Sequence, residues 1–208
     1  MLFRFGKKTT NTDNILYDEK YKEYNELNII IEFNLSESLK HVSIDGKYFE
    51  FGVFQGHSVN YIARLIGPKK IIYGFDSWQG LPEKWKTKYK VFPKGHYHMD
   101  GKIPEVEPNV KLISGLFENT LPKFYDEYNL EPTAFVHIDC DLYSSTKTVF
   151  KHIGKTLVTG SIVVFDEWFS EDHEQKAFLE WLATSNKKAV CLFATTRQRT
   201  FKIIEGIL

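Results

Sequence analysis

Two cysteines in 208 residues are too few for a disulfide framework. Cys140 and Cys191 lie in apolar, strand-like runs without metal-ligand spacing, where a thiol behaves as a small buried hydrophobe, so a reducing compartment suits the chain. Excess charge of one sign is missing too: 27 Lys plus Arg balance 27 Asp plus Glu, and no global field draws the protein to nucleic acid or anionic lipid. No apolar run approaches the roughly 20 residues of a membrane span, and Met1 is followed by basic residues but not by the apolar stretch of a secretory leader. The expected address is therefore cytoplasmic. With 42% hydrophobic and 26% charged residues, the composition is that of a globular protein, long enough for one well-buried core and short for two independent domains.

What the sequence does carry begins at Tyr48-Phe49-Glu50-Phe51-Gly52-Val53-Phe54-Gln55-Gly56-His57-Ser58. An apolar strand runs into a turn with two glycines, and Val59, Ile62, Ala63 and Ile66 then mark one helical face. A strand, turn and helix of this kind suits an adenosine-type cofactor, with Val53, Gly56 and Ser58 in the cradle and the turn's N–H groups facing the ligand. The third glycine of a dinucleotide fingerprint is absent. The looser Gly-x-x-x-Gly spacing fits S-adenosylmethionine better, because that cofactor brings no pyrophosphate to the turn. Twenty residues after Gly56, Asp76 closes the second strand, where a carboxylate can accept ribose hydroxyls of either cofactor.

From residue 47 onward short apolar runs alternate with helix-period stretches, the pattern of a Rossmann-like α/β fold with a mostly parallel sheet and helices on both faces. Seven strands are predicted, at 48–53, 71–75, 110–114, 133–139, 161–166, 189–195 and 200–204. The last two are separated by four residues, too few for a crossover, so they should form an antiparallel hairpin. Helices are expected at 117–128, with Pro122 forcing a late start, along Tyr143, Thr146, Phe150, Ile153 and Leu157, and around Ala177, Phe178, Trp181 and Leu182. Residues 1–46 read as a partly helical cover on a catalytic unit of residues 47–208, the whole forming one domain. The stretch 81–109, with four prolines and two glycines, is too long for a simple connector and is expected to be a lid or substrate-recognition loop.

Acids gather at two further strand ends, Asp139-Cys140-Asp141 and Asp166-Glu167. If those strands are neighbours, about 4.8 Å apart, the side chains converge, and like charges that close need protons or a metal. Oxygen ligands favour Mg2+, with Mn2+ or Ca2+ as alternatives, and no Cys/His cluster has zinc spacing. Asp139, Asp166 and Glu167 are thus candidate metal ligands, and Asp139 is the candidate base that would take a proton from an acceptor hydroxyl for methyl transfer.

Taken together, the segments 50–56, Asp76-Ser77-Trp78-Gln79-Gly80-Leu81-Pro82, Gly115-Leu116-Phe117-Glu118-Asn119-Thr120-Leu121-Pro122, His137-Ile138-Asp139-Cys140-Asp141-Leu142-Tyr143-Ser144-Ser145-Thr146 and Asp166-Glu167 resemble the macrocin O-methyltransferase family. The resemblance implies a class I methyltransferase fold and methylation of sugar hydroxyls. It places the methionine part of the cofactor at Glu50, Gly52 and Gln55, its ribose at Asp76, and its adenine near Ser77, Trp78, Ser114, Gly115 and Leu116. The family pairs two aspartates where this chain has Asp166-Glu167, and its macrolide enzymes have longer N-terminal regions, which points to a different acceptor here. Lys84, Lys86, Lys88, Lys90 and Lys94, interleaved with Trp85, Tyr89 and Phe92, suit a sugar or nucleotide-linked sugar. Homo-oligomerisation is left open.

Three rival readings stand beside this one. Tyr143 and Lys147 spell the Tyr-x-x-x-Lys pair of short-chain reductases, though directly after an acidic strand end. A metal-dependent glycosyltransferase would use Asp139-Cys140-Asp141 and leave the glycine turn and Asp76 unexplained. A non-catalytic module could keep the fold and the cofactor.

Overall fold

A computed structural model describes residues 14–23, 31–128 and 131–205. In chain order the elements are β1 (Ile15–Glu23), α1 (Ile31–Lys40), β2 (Lys47–Phe51), α2 (His57–Ile66), β3 (Ile72–Asp76), β4 (Trp85–Lys86), β5 (Val91–Phe92) and β6 (Val110–Ser114). There follow α3 (Phe117–Tyr128), β7 (Thr133–Ile138), α4 (Tyr143–Ile153), β8 (Leu157–Phe165), α5 (Glu174–Thr184), β9 (Lys187–Ala194) and β10 (Arg199–Glu205).

The main sheet has eight strands in the order β1-β9-β10-β8-β7-β2-β3-β6, one more than the sequence predicts. The addition is β1, which pairs parallel with β9 at the sheet edge. Its sequence, Ile-Leu-Tyr-Asp-Glu-Lys-Tyr-Lys-Glu, is mostly charged, which blunts an edge but hides a strand from hydrophobic patterning. The predicted antiparallel hairpin is present as β9 and β10, and β10 also runs antiparallel to β8. Strand β8 starts earlier than expected and takes in Leu157, assigned by periodicity to the preceding helix. Helix α3 starts at Phe117 in spite of Pro122. That proline costs one bond, to the carbonyl of the exposed first-turn residue Glu118, which water can satisfy.

All five residues of β2 and all six of β7 are buried, as parallel interior strands must be when helices cover both faces. Strand alternation sends Phe49 and Phe51, Val136 and Ile138, and Val163 and Phe165 to one side, into an aromatic core with Phe75, Phe124, Phe150 and Phe178. The opposite face packs Tyr48, Phe135, Ile162 and Val164 against Leu35 of α1 and Val59 and Ile62 of α2. Glu50 and His137 share that second face, paired across the β2–β7 ladder. They form a polar seam between apolar layers.

After β2 the chain winds through β3 to β6 on one side; it then returns to β7 and β8 on the other. The strand order therefore reverses between β2 and β7, and the carboxyl ends of that pair open a crevice, the usual ligand position of open α/β sheets.

Candidate functional site

A cavity of about 470 Å³ occupies this crevice, within the usual size of a small-molecule site. Gly52, Asp76 and Gly115 come from the carboxyl ends of β2, β3 and β6, and Asp139, Asp141, Asp166 and Glu167 from those of β7 and β8. The predicted convergence of acids is thus present. Leu81, Pro82, Glu83 and Tyr97 of the proline-rich loop form another wall, so this loop covers the cavity. It is fastened by Leu81 and Trp85 packing on Leu142, by a 2.5 Å bond from Ser144 to Glu83, and by the His173 ring on the Lys86 carbonyl. The five loop lysines are exposed, as is Tyr89.

Local geometry revises the role of the glycine turn. A Cβ on Gly52, at φ +93°, would sit 1.7 Å from the Asp139 carbonyl oxygen. Glycine is needed there because the ends of β2 and β7 touch. The Val53 and Phe54 N–H groups do not face the cavity as expected: both donate to Asp76 Oδ2, at 2.9 and 2.8 Å, while Trp78 N–H donates to Oδ1 at 2.8 Å. Asp76 ties the turns after β2 and β3 together, and of the four lone pairs on its two oxygens one is left to face a ligand. Of the predicted cofactor residues, Gly52, Asp76, Ser77, Gly115 and Leu116 line the cavity. Glu50, Val53, Gln55, Gly56, Ser58, Trp78 and Ser114 lie off its wall. Trp78 is a core pillar, 1% exposed, whose Nε1–H donates to the Phe54 carbonyl.

Asp139 and Asp141 are half-buried on the cavity wall. Desolvation, then neighbouring acids, pushes both carboxyls well above the usual range; for Asp139 the first such neighbour is Asp166, for Asp141 it is Glu167. Asp141 also holds φ at +61°, a conformation costly for a non-glycine residue and typical of functional sites. Glu167 is raised to about 7 by burial, against the pull of Arg197.

Arg197, Gln198 and Glu174 escaped sequence reasoning because each reaches the site from a distant segment. Arg197, in the β9–β10 turn, donates to Asp166 Oδ2 at 2.8 Å and also bonds Glu167 Oε1. Its neighbour Gln198 donates to Asp166 Oδ1 at 2.5 Å. Glu174, fully buried at the start of α5, accepts from the backbone N–H groups of Cys140, Asp141 and Glu167 at 3.1–3.2 Å, so it fixes both acid-bearing segments. Glu50, a predicted cofactor residue, pairs with His137, with Nδ1 and Oε2 3.0 Å apart and both side chains fully buried. Among the described residues, the grouping with metal-ligand proximity is His137, Asp139 and Asp166, not the expected trio with Glu167. Glu167 instead carries Arg197, while its Oε2 is buried without a hydrogen-bond partner.

The Tyr143–Lys147 pair does not serve a reductase. Tyr143 donates to Glu180 and receives Lys147 on α4, and neither residue lines the cavity.

The fold, with its crevice at the strand reversal, is Rossmann-like α/β. Among solved structures, the calicheamicin methyltransferase CalS11 aligns with TM-score 0.66 and 23% identity over 82% of this chain and 77% of that one. The O-methyltransferase NovP gives 0.62 and 17% over 82% and 78%. The mycinamycin-pathway methyltransferase MycE, solved with Mg and S-adenosylhomocysteine, gives 0.54 and 13% over 83% of this chain and 49% of that one. At these identities the likeness defines the fold and nothing finer. Comparison with curated proteins gives no match. Residues 49–168 match the methyltransferase-domain family, and the chain belongs to it. It is an S-adenosylmethionine-dependent methyltransferase.

Proposed function

We propose that the protein is an O-methyltransferase that methylates a hydroxyl of a sugar or sugar-containing metabolite with the help of a divalent cation. The observation that carries this is one cavity with a glycine-lined edge from β2, β3 and β6 on one side and four acids from β7 and β8 on the other. The chain's own residues fit the donor: Gly52 leaves backbone room, Asp76 keeps a free lone pair, and Gly115, Leu116 and Phe117 continue the wall. S-adenosylmethionine supplies a methyl group already activated on a sulfonium, so the protein's task is to orient the acceptor and remove its proton.

Sequence reasoning put cation binding and proton removal both on Asp139. Here the two roles are proposed to fall on different residues. Asp139 belongs with His137 and Asp166, where a divalent ion would supply Lewis acidity toward the acceptor oxygen. Asp141 lies on the cavity wall outside that group and takes the acceptor proton on a carboxylate oxygen. Glu174 holds Asp141 in place through its backbone N–H. Tyr97 and Leu81 cover the acceptor side and exclude water.

A sugar acceptor is supported by the exposed lysines and Tyr89 of the loop whose Leu81, Pro82, Glu83 and Tyr97 line the cavity, which suit an anionic linker and an apolar sugar face. CalS11, one fold neighbour, is described as a TDP-rhamnose 3′-O-methyltransferase. Both cysteines are buried free thiols, and among the described residues no helix is long and apolar enough to cross a membrane, in keeping with a cytoplasmic enzyme.

Purified protein, incubated with methyl-labelled donor and cell extract, should transfer label to a sugar-containing small molecule, as read by chromatography and mass spectrometry. Label found on protein or nucleic acid, or no transfer, would refute the acceptor class. Full activity in chelator would remove the cation.

A further inference from the structure

Within the site just proposed, we infer that His137 Nε2 is a metal ligand, so that one imidazole nitrogen joins carboxylate oxygens of Asp139 and Asp166 around the cation. This rests on the cation of the proposed mechanism and goes beyond it in ligand set and metal class.

His137 is fully buried, and its Nδ1 is engaged by Glu50 Oε2 at 3.0 Å. Its Nε2 is buried without a hydrogen-bond partner. Such a nitrogen is expensive to desolvate and rarely left unused. A ring nitrogen of His137 and one oxygen each from Asp139 and Asp166 lie within 4.8 Å of one another. Ligand atoms at about 2.0–2.2 Å from a shared ion stand about 3 Å apart when adjacent and about 4.4 Å apart when opposite, so the three groups must draw closer together as the ion binds.

The surroundings support the role. Ser58 Oγ–H donates to Glu50 Oε1 at 3.0 Å, and Glu50 in turn holds Nδ1, the carboxylate–histidine–metal arrangement that fixes ring orientation and leaves Nε2 its lone pair. Each Asp166 oxygen accepts one bond, Oδ2 from Arg197 and Oδ1 from Gln198, and keeps a second lone pair. Glu167, whose Oε1 accepts from Arg197, stands outside the set. A site with nitrogen selects differently from an all-oxygen one. Mg2+ and Ca2+ prefer oxygen ligands and water, whereas an imidazole draws Mn2+, Fe2+, Co2+ or Zn2+. The geometry therefore shifts the expected metal from magnesium toward the first-row transition ions.

The test uses the full chain with Mn2+ alone, followed by pulsed electron paramagnetic resonance. Bound Mn2+ should show coupling to a directly ligated 14N nucleus. His137→Gln should abolish that coupling and weaken Mn2+ binding by at least about 10-fold, with an unchanged circular dichroism spectrum. Glu50→Gln, which changes only what holds the ring, should keep the coupling and weaken binding about 10–100-fold. If either variant fails to fold, the wild-type spectrum still decides. Mn2+ bound without 14N coupling overturns the histidine ligand and leaves the cation proposal standing. No Mn2+ binding at millimolar concentration overturns both, and the labelled-methyl assay then judges the transferase reading on its own.

Discussion

Gly52→Ala is the sharpest perturbation of the site. Two costs are separable by comparison with Gly56→Ala. Both glycines hold positive φ, +93° and +83°, so each alanine meets a backbone penalty of about 1–2 kcal/mol. At Gly56 the new Cβ makes only ordinary contact, 3.4 Å from Pro104, and nothing is added. At Gly52 it lands 1.7 Å from the Asp139 carbonyl oxygen, where relief requires the ends of β2 and β7 to part. Overpacking of this kind adds about 1–3 kcal/mol, for a total of about 2–5 kcal/mol against 1–2 for Gly56→Ala. In a chain of this size that is a fall in Tm of roughly 4–20 °C for the first variant and 2–8 °C for the second. Because the displaced carbonyl belongs to Asp139, Gly52→Ala should also lose activity at temperatures where it remains folded. Urea unfolding monitored by tryptophan fluorescence, paired with transfer assays at 15 °C, reads both effects. Equal stability of the two variants would refute the close approach of β2 and β7.

Asp76→Ala should destabilise the fold by about 3 kcal/mol as well as weaken donor binding, since three backbone N–H groups lose their carboxylate; unchanged stability in urea with weakened S-adenosylhomocysteine binding would show that Asp76 serves the ligand alone. Glu174→Gln sets an amide N–H2 against backbone donors, so kcat should fall about 10–100-fold through misplacement of Asp141, with S-adenosylhomocysteine affinity nearly unchanged; calorimetry showing equal losses in both would contradict the positioning role. Burial raises Glu167 to about 7 from 4.5, and Glu50, Asp139, Asp141 and Glu174 shift in the same direction. The folded state therefore binds more protons than the unfolded one across that window, and metal-free stability should fall as pH rises from about 4.5 to 7, by up to about 3 kcal/mol for Glu167. A Tm in chelator that climbs between pH 5 and pH 7.5 would reverse the sign and disprove it.

What the sequence determined by itself is everything written in local periodicity. Seven strands of the main sheet, the helix stripes and the closing hairpin follow from spacings of two and of three to four, since burial on one face repeats with the backbone's own period. Acids after apolar strands placed Asp139, Asp141, Asp166 and Glu167 at one rim, and the fold keeps them there. The strand 15–23 was lost because its charged residues carry no such period. Tertiary structure alone decided what each of those groups touches. Gly52 is glycine on account of a carbonyl on a neighbouring strand, Asp76 spends its oxygens on two turns, and Glu50 meets a histidine 87 positions away. Arg197 and Gln198 arrive from the far hairpin to take Asp166. Partners of this kind are set by strand order and register, which depend on how all the layers pack at once, and no window of neighbouring residues contains that information.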